Sequence, residues 1–239
     1  HGSRKDEQLI NNCLKYGLLI DNGLKGRTGA TAYTIFGNKS LVFPLKNKEN
    51  EIVSLYFRSI LDTKNSKHYY LKDRQGLYPN YPKSDTKKLI LTESIIDAAS
   101  LLQIKEIAEN YSVLACFGTN GLNQEIQKAI KELTHLEEII FFFDYDSAGQ
   151  SATSNYGAML KEAFPNLIIT QAIPINKDIN ETLQLHDENI FLSLLNERKD
   201  VFPSTETQAK EPDFSTEEKS ITSATDFLKQ PQLLNQLNQ

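Results

Sequence analysis

Glu93 ends the apolar run Leu89-Ile-Leu-Thr, and Asp144 and Asp146 end the run Ile139-Ile-Phe-Phe-Phe. Short runs rich in Ile, Leu and Phe have the pattern of strands buried on both faces of a parallel sheet. Ligands of open α/β sheets bind just beyond the carboxyl ends of such strands. The three carboxylates therefore stand where chemistry is expected. Gathered together they repel, and a divalent cation relieves that repulsion. An all-oxygen donor set suits Mg²⁺ or Mn²⁺. In extended chain the side chains of Asp144 and Asp146 share one face, so both can serve one cation or a close pair. Ser147 is a natural N-cap for the next helix. Asp97, in the first turn of a helix opening at Ile95, faces back to the strand ends. It either supports the metal site or simply answers the helix dipole. Phe117-Gly118-Thr119-Asn120-Gly121 follows another strand, and its glycines either let backbone approach a ligand or make a turn.

The elements that position these residues fall into two halves. Residues 8–19 fit a short helix, with Gly17 near its end. Asn22-Gly23 and Gly26-Arg-Thr-Gly29 are loop signals. Strand patterns follow at 32–36, 40–44 and 52–57, the last two joined by a turn at Asn47-Lys-Glu-Asn50. His68-Tyr-Tyr-Leu71 and Gly76-Leu-Tyr-Pro79 add short strands or turns. From residue 87 the rhythm becomes strand (88–92), helix (95–110), strand (112–116), helix (122–133), strand (138–143), helix (147–164) and strand (167–170). Two short helices, 180–185 and 189–196, complete it. Such alternation means βαβ units and a parallel sheet. The expected division is a tag scar at 1–3, a basic α+β subdomain at 4–86, an α/β domain at 87–200 and a flexible tail at 203–239.

The formal charge of −5 conceals +8 over residues 1–88 and −13 over the remainder. A basic surface for polyanions beside an acidic, metal-seeking region follows from that asymmetry. Cys13 and Cys116 are the only cysteines, so this sequence holds no zinc ribbon. Reduced thiols and a cytoplasmic location are expected. No apolar run of about 18 residues offers a membrane span.

A strand ending in Glu, then some fifty residues later one ending in Asp-x-Asp with Ala-Gly beyond, resembles the Toprim domain of topoisomerases, bacterial primases and some nucleases. Asp144 to Ala152 fits Asp-x-Asp-x-Ala-Gly-x-x-Ala throughout. The preceding half is similar to the basic subdomain of the bacterial (DnaG-type) primase core. The elements that carry this are Leu41-Val-Phe-Pro44, the strand ending in Arg58, Lys67-His-Tyr-Tyr-Leu71, Phe117-Gly118-Thr119 and Pro174-Ile-Asn-Lys-Asp178-Ile-Asn180. Ser94 stands where the family usually has Gly, and Asn180 replaces the second Asp of the late segment. The fold implied is a Toprim-like parallel four-stranded sheet flanked by helices, preceded by the small basic subdomain.

The resemblance implies that Glu93 acts as general acid/base or metal ligand and that Asp144, Asp146 and Asp178 bind Mg²⁺ or Mn²⁺. Asp97, Gly118 and Thr119 are expected to support them. Arg58, Lys67, Lys72 and Arg74 are expected to supply counter-charge to template or triphosphate, with Tyr69 among the tyrosines able to stack unpaired bases. The implied activity is synthesis of short RNA primers on single-stranded DNA from nucleoside triphosphates, as in a mobile-element primase. A replicative helicase or a zinc-ribbon domain is the further partner implied. The rivals are a Toprim nuclease and a nucleic-acid-binding module without turnover. A phosphatase of the haloacid dehalogenase type is disfavoured, because Ala148 stands where that family has Thr or Val.

Overall fold

The computed structural model describes residues 7–61, 68–118 and 121–203. Lys67, Thr119, the expected tag scar and the expected tail beyond 203 lie outside the described residues. In chain order the elements are α1 (Glu7–Lys15), β1 (Leu19–Lys25), β2 (Thr31–Ile35), β3 (Ser40–Lys46), β4 (Ile52–Ser59) and β5 (His68–Tyr70). The second half adds β6 (Lys88–Thr92), α2 (Ile95–Leu101), α3 (Lys105–Asn110), β7 (Ser112–Ala115), α4 (Gln124–Lys131) and β8 (Glu138–Phe142). It closes with α5 (Ser147–Ala163), β9 (Ile168–Gln171), α6 (Ile179–Leu185), α7 (Asn189–Asn196) and β10 (Lys199–Asp200).

The first half is antiparallel. Helix α1 ends in paired hydrogen bonds, Leu18 N–H to Cys13 O and Gly17 N–H to Leu14 O. This is the Schellman closure that Gly17, at φ +73°, makes easy. β1 pairs with β2, and β3, β4 and β5 form a separate three-stranded sheet. Asn22-Gly23, expected in a loop, instead lies inside β1 where the register shifts between Asp21 and Lys25. A bulge absorbs the glycine's positive φ there, and the Gly23 N–H donates to Asp21 Oδ1 at 2.8 Å. The turn at Asn47–Asn50 forms as expected, closing β3 onto β4.

The second half is a sheet of order β10-β9-β8-β6-β7, parallel except for β10. The expected four parallel strands are all present. β10 is a fifth, antiparallel edge strand, too short to show a periodic signal. Side chains of β6 and β8 alternate between two cores. Leu89, Leu91, Ile139, Phe141 and Phe143 pack under α4 and α5. Ile90, Ile140 and Phe142 pack with residues of α2, α3, α6 and α7. Each such burial contributes roughly 1.5–3 kcal/mol. Leu45 and Tyr56 of the antiparallel sheet enter the second core. The helix expected over 95–110 is two helices: it breaks after Leu101, and Ile104 caps α3 without a side-chain bond. No Gly or Pro marks that break, so local sequence did not announce it.

Candidate metal and nucleic-acid site

In this strand order β6 sits between β7 and β8, so the chain leaves β6 on one side and returns on the other. That reversal opens a crevice at the carboxyl ends of β6 and β8. Glu93 directly follows β6 and Asp144 lies two residues beyond β8. The Asp144 N–H donates to the Glu93 carboxylate. Gly149 lets α5 start hard against this point: a Cβ there would lie 2.1 Å from the Asp144 carbonyl oxygen. Asp146, not Ser147, is the N-cap of α5, its Oδ1 accepting the Gly149 N–H at 2.8 Å. One carboxylate oxygen thus fixes the helix while the side chain as a whole stays exposed.

Asp97 is 4% exposed. Its Oδ2 accepts the Ser94 hydroxyl at 2.6 Å, and Ser94 Oγ accepts the Asp97 N–H at 3.2 Å. Ser94 is therefore the N-cap of α2 in a Ser-x-x-Asp capping pair, which gives that residue a structural reason. Asp178 caps α6 through the Glu181 N–H at 2.7 Å. Asn180 ties α6 to α2, its Nδ2 donating to Ser100 Oγ at 3.0 Å.

These carboxylates act strongly on one another. Burial, then Asp97, Glu93, Asp178 and Asp146, push the Asp144 carboxyl up to about 7. Burial pushes Glu93 above its ordinary value and Asp146 and Asp97 add to it, while the Asp144 N–H pulls the other way. Glu93 Oε2 is buried with no hydrogen-bond partner. Among the described residues no three His, Cys, Asp or Glu side chains form a ready cage for an ion. Mg²⁺ does not need one: it usually takes one or two carboxylates and fills its shell with water and phosphate. An orphaned oxygen among mutually repelling, hard oxygen donors fits such an ion.

Of the expected basic and aromatic residues, Arg58 and Arg74 come to one face of the three-stranded sheet. Arg58 pairs with His68 across β4 and β5. The Tyr56 hydroxyl lies 2.7 Å from His68 Nδ1. Burial pushes Tyr56 up to about 12, and Asp97 is among the charges it feels. This face packs against α2 and the segment after β7, with Tyr56 buried beside Ile95 and Ala98 and Tyr70 edge-on to Phe117 at 6.3 Å. The Arg74 guanidinium lies over the rings of Tyr70 at 4.8 Å and Phe117 at 4.5 Å. Phe117 takes φ +60° and precedes Gly118, whose N–H donates to the Glu93 carbonyl at 2.7 Å. Lys72 is exposed. Tyr69 points to the other face, edge-on to Phe36 at 6.2 Å. The roles of Ser94 and Asn180 were missed from sequence. Only Ser94 left a signal, its capping spacing to Asp97.

A protein-family model described as Toprim-like matches residues 90–183. No curated protein matches the chain. Among solved structures, the Aquifex aeolicus primase (zinc-binding and RNA polymerase domains) aligns with TM-score 0.62 and 18% identity, over 84% of this chain and 49% of that one. A DNA primase domain from Pseudomonas aeruginosa aligns with TM-score 0.58 and 20% identity, over 82% and 61%. A DnaG primase catalytic domain bound to single-stranded DNA aligns with TM-score 0.58 and 16% identity, over 82% and 63%. The chain thus spans about half to five-eighths of these relatives. It carries a Toprim-like domain preceded by an antiparallel β half. Together these have the fold of bacterial primase catalytic cores.

Proposed function

We propose that this chain is a primase-type nucleotidyltransferase core that joins ribonucleotides into short primers on single-stranded DNA. The observation that carries the reading is the self-repelling group Glu93, Asp97, Asp144, Asp146 and Asp178, set at the crevice between β6 and β8, with Tyr56 and Tyr70 of the Arg58 side of the antiparallel sheet packed against α2 and Phe117. Asp144, Asp146 and Asp178 would hold Mg²⁺ or Mn²⁺, with Glu93 as a further ligand. When bound, the ion would neutralise charge building on the transferring phosphate and its pyrophosphate leaving group.

The chain's own residues supply the rest. Glu93, half-buried and raised above its ordinary value by burial and then by Asp146 and Asp97, is a stronger proton acceptor than an ordinary carboxylate. Arg58, Lys72 and Arg74 offer counter-charge to phosphates of template and triphosphate, as Lys67 would by its place in the sequence. Gly118 keeps the chain open beside Glu93, at a φ of +102°. Thr119 follows it in the sequence.

The test is incorporation of labelled ribonucleotide on a single-stranded template with Mg²⁺ and with Mn²⁺. Elongation that disappears in Asp144→Asn and Asp146→Asn supports the reading. Metal-dependent shortening of the strand would assign a Toprim nuclease instead. Binding without turnover under either metal would assign a binding module.

A further inference from the structure

The segment Arg74–Tyr81 bridges the two sheets. Gly76, at φ +86°, lies so close to β3 that a Cβ would stand 2.9 Å from both Leu45 C and Lys46 N. Leu77 and Lys46 exchange backbone hydrogen bonds at 2.9 and 3.0 Å, and the Tyr78 carbonyl accepts from Ala115 N–H, at the end of β7, at 3.1 Å. One side chain from the Toprim-like domain gathers the remaining donors. Glu125, in the first turn of α4, accepts the buried Gly76 N–H on both oxygens at 3.1 Å and the Tyr81 hydroxyl on Oε1 at 2.7 Å. Two residues before Gly76, the Arg74 guanidinium rests on Tyr70 and on Phe117, next to the loop that bonds back to Glu93.

We propose that Glu125 is a positioning residue that fixes Arg74 where its charge meets a phosphate of bound single-stranded DNA. The proposal rests on the nucleic-acid reading above. Two ring contacts at an exposed site supply only about 0.5–1 kcal/mol each, and the Tyr70 hydroxyl accepts a hydrogen bond from the guanidinium. All of these grip only the tip of a long side chain and leave the root of its loop to be fixed by other groups. A carboxylate held by two donors, the buried Gly76 N–H shared between both of its oxygens and the Tyr81 hydroxyl, is a firmer anchor, since hydrogen bonds to charged groups contribute roughly 1.5–3 kcal/mol each. Among the described residues Glu125 hydrogen-bonds to Gly76 and Tyr81 and to none of the carboxylates around Asp144, so its effect on binding travels through the segment it holds.

The experiment joins NMR of the Arg74 Nε–H group with single-strand affinity. The variants are Glu125→Ala, Tyr81→Phe, Arg74→Ala and the double variant Glu125→Ala/Arg74→Ala. Tyr81→Phe removes a single hydrogen bond and keeps the proposal testable should Glu125→Ala fold poorly. In the wild type two ring currents displace the Arg74 signal. It should return toward the ordinary arginine position in Glu125→Ala and part of the way in Tyr81→Phe. Affinity should fall roughly fivefold in Glu125→Ala, and the double variant should bind no more weakly than Arg74→Ala alone. An unmoved Arg74 signal in both variants, or additive losses in the cycle, overturns the proposal and leaves Glu125 a local cap. A moving signal with full affinity in Arg74→Ala overturns phosphate as Arg74's ligand. Absence of single-strand binding in every form, wild type included, overturns the nucleic-acid reading itself.

Discussion

At Asp144, burial and four neighbouring carboxylates push in one direction. The metal-free site therefore stores repulsion that either a cation or an amide relieves. Without metal, Asp144→Asn should melt at or above the wild-type temperature. Mn²⁺ should raise the wild-type melting temperature and leave the variant unmoved. A site held at one hundred times its dissociation constant adds about 2.7 kcal/mol, well within reach of a thermal melt. Chelator should reverse the shift. Equal Mn²⁺ stabilisation of both proteins would remove Asp144 from the metal site. At this scale the sequence was informative where apolar runs met acids, because strand ends and charge are both local. It was silent on which oxygen does what. Asp146 divides itself between capping α5 and facing the site, and only the N-cap falling one residue earlier than expected reveals it.

Among the elements, β8, β9 and the segment after α7 are joined by one buried ion pair. Glu138, 5% exposed, takes Arg198 Nε and Nη2 at 2.6 and 2.9 Å and the Thr170 hydroxyl at 2.7 Å. Burial alone would raise Glu138, but bonds from Arg198 and Thr170 and the Arg198 charge outweigh it and hold the carboxyl below its ordinary value. A lowered folded value means stability present above the unfolded value of 4.5 and lost as pH falls through the folded one. Acid melts should therefore steepen below about pH 4.5 in the wild type, and Glu138→Gln should flatten that limb. Arg198→Ala leaves a buried carboxylate unpaired and should cost about 3 kcal/mol in chemical denaturation. A loss under about 0.5 kcal/mol would show that water reaches Glu138. Arg198 and β10 could not be read from sequence, since a two-residue edge strand has no period and this pairing spans sixty residues. The break between α2 and α3 was hidden likewise. The strands with two buried faces, by contrast, announced themselves in composition.

On the scale of the whole molecule, the charge division proposes the antiparallel half for polyanion contact, and Tyr56 and Tyr70 seat one of its faces against the second core and Phe117. Arg58 is the informative probe because it shares that face with a titratable neighbour. His68 is lowered from its ordinary 6.5, first by burial and then by the Arg58 charge. While Arg58 is present, the pair thus carries about one positive charge through neutral pH. Arg58→Ala removes that charge and also the smaller of the two causes that lower His68, leaving burial as the other. The expected result is a pH-dependent rescue. Near pH 8 the variant's single-strand affinity should show a log–log salt slope shallower by about 0.7, one phosphate contact. Near pH 5.5 the protonated His68 should restore part of it. The double variant Arg58→Ala/His68→Gln should keep the shallow slope at both values. A slope unchanged by Arg58→Ala at pH 8 would mean that this face meets no phosphate. The basic excess of the first half would then act in solubility alone. A shallow slope that stays shallow at pH 5.5 would mean that burial alone keeps His68 neutral, leaving Arg58 as the sole cation of the pair.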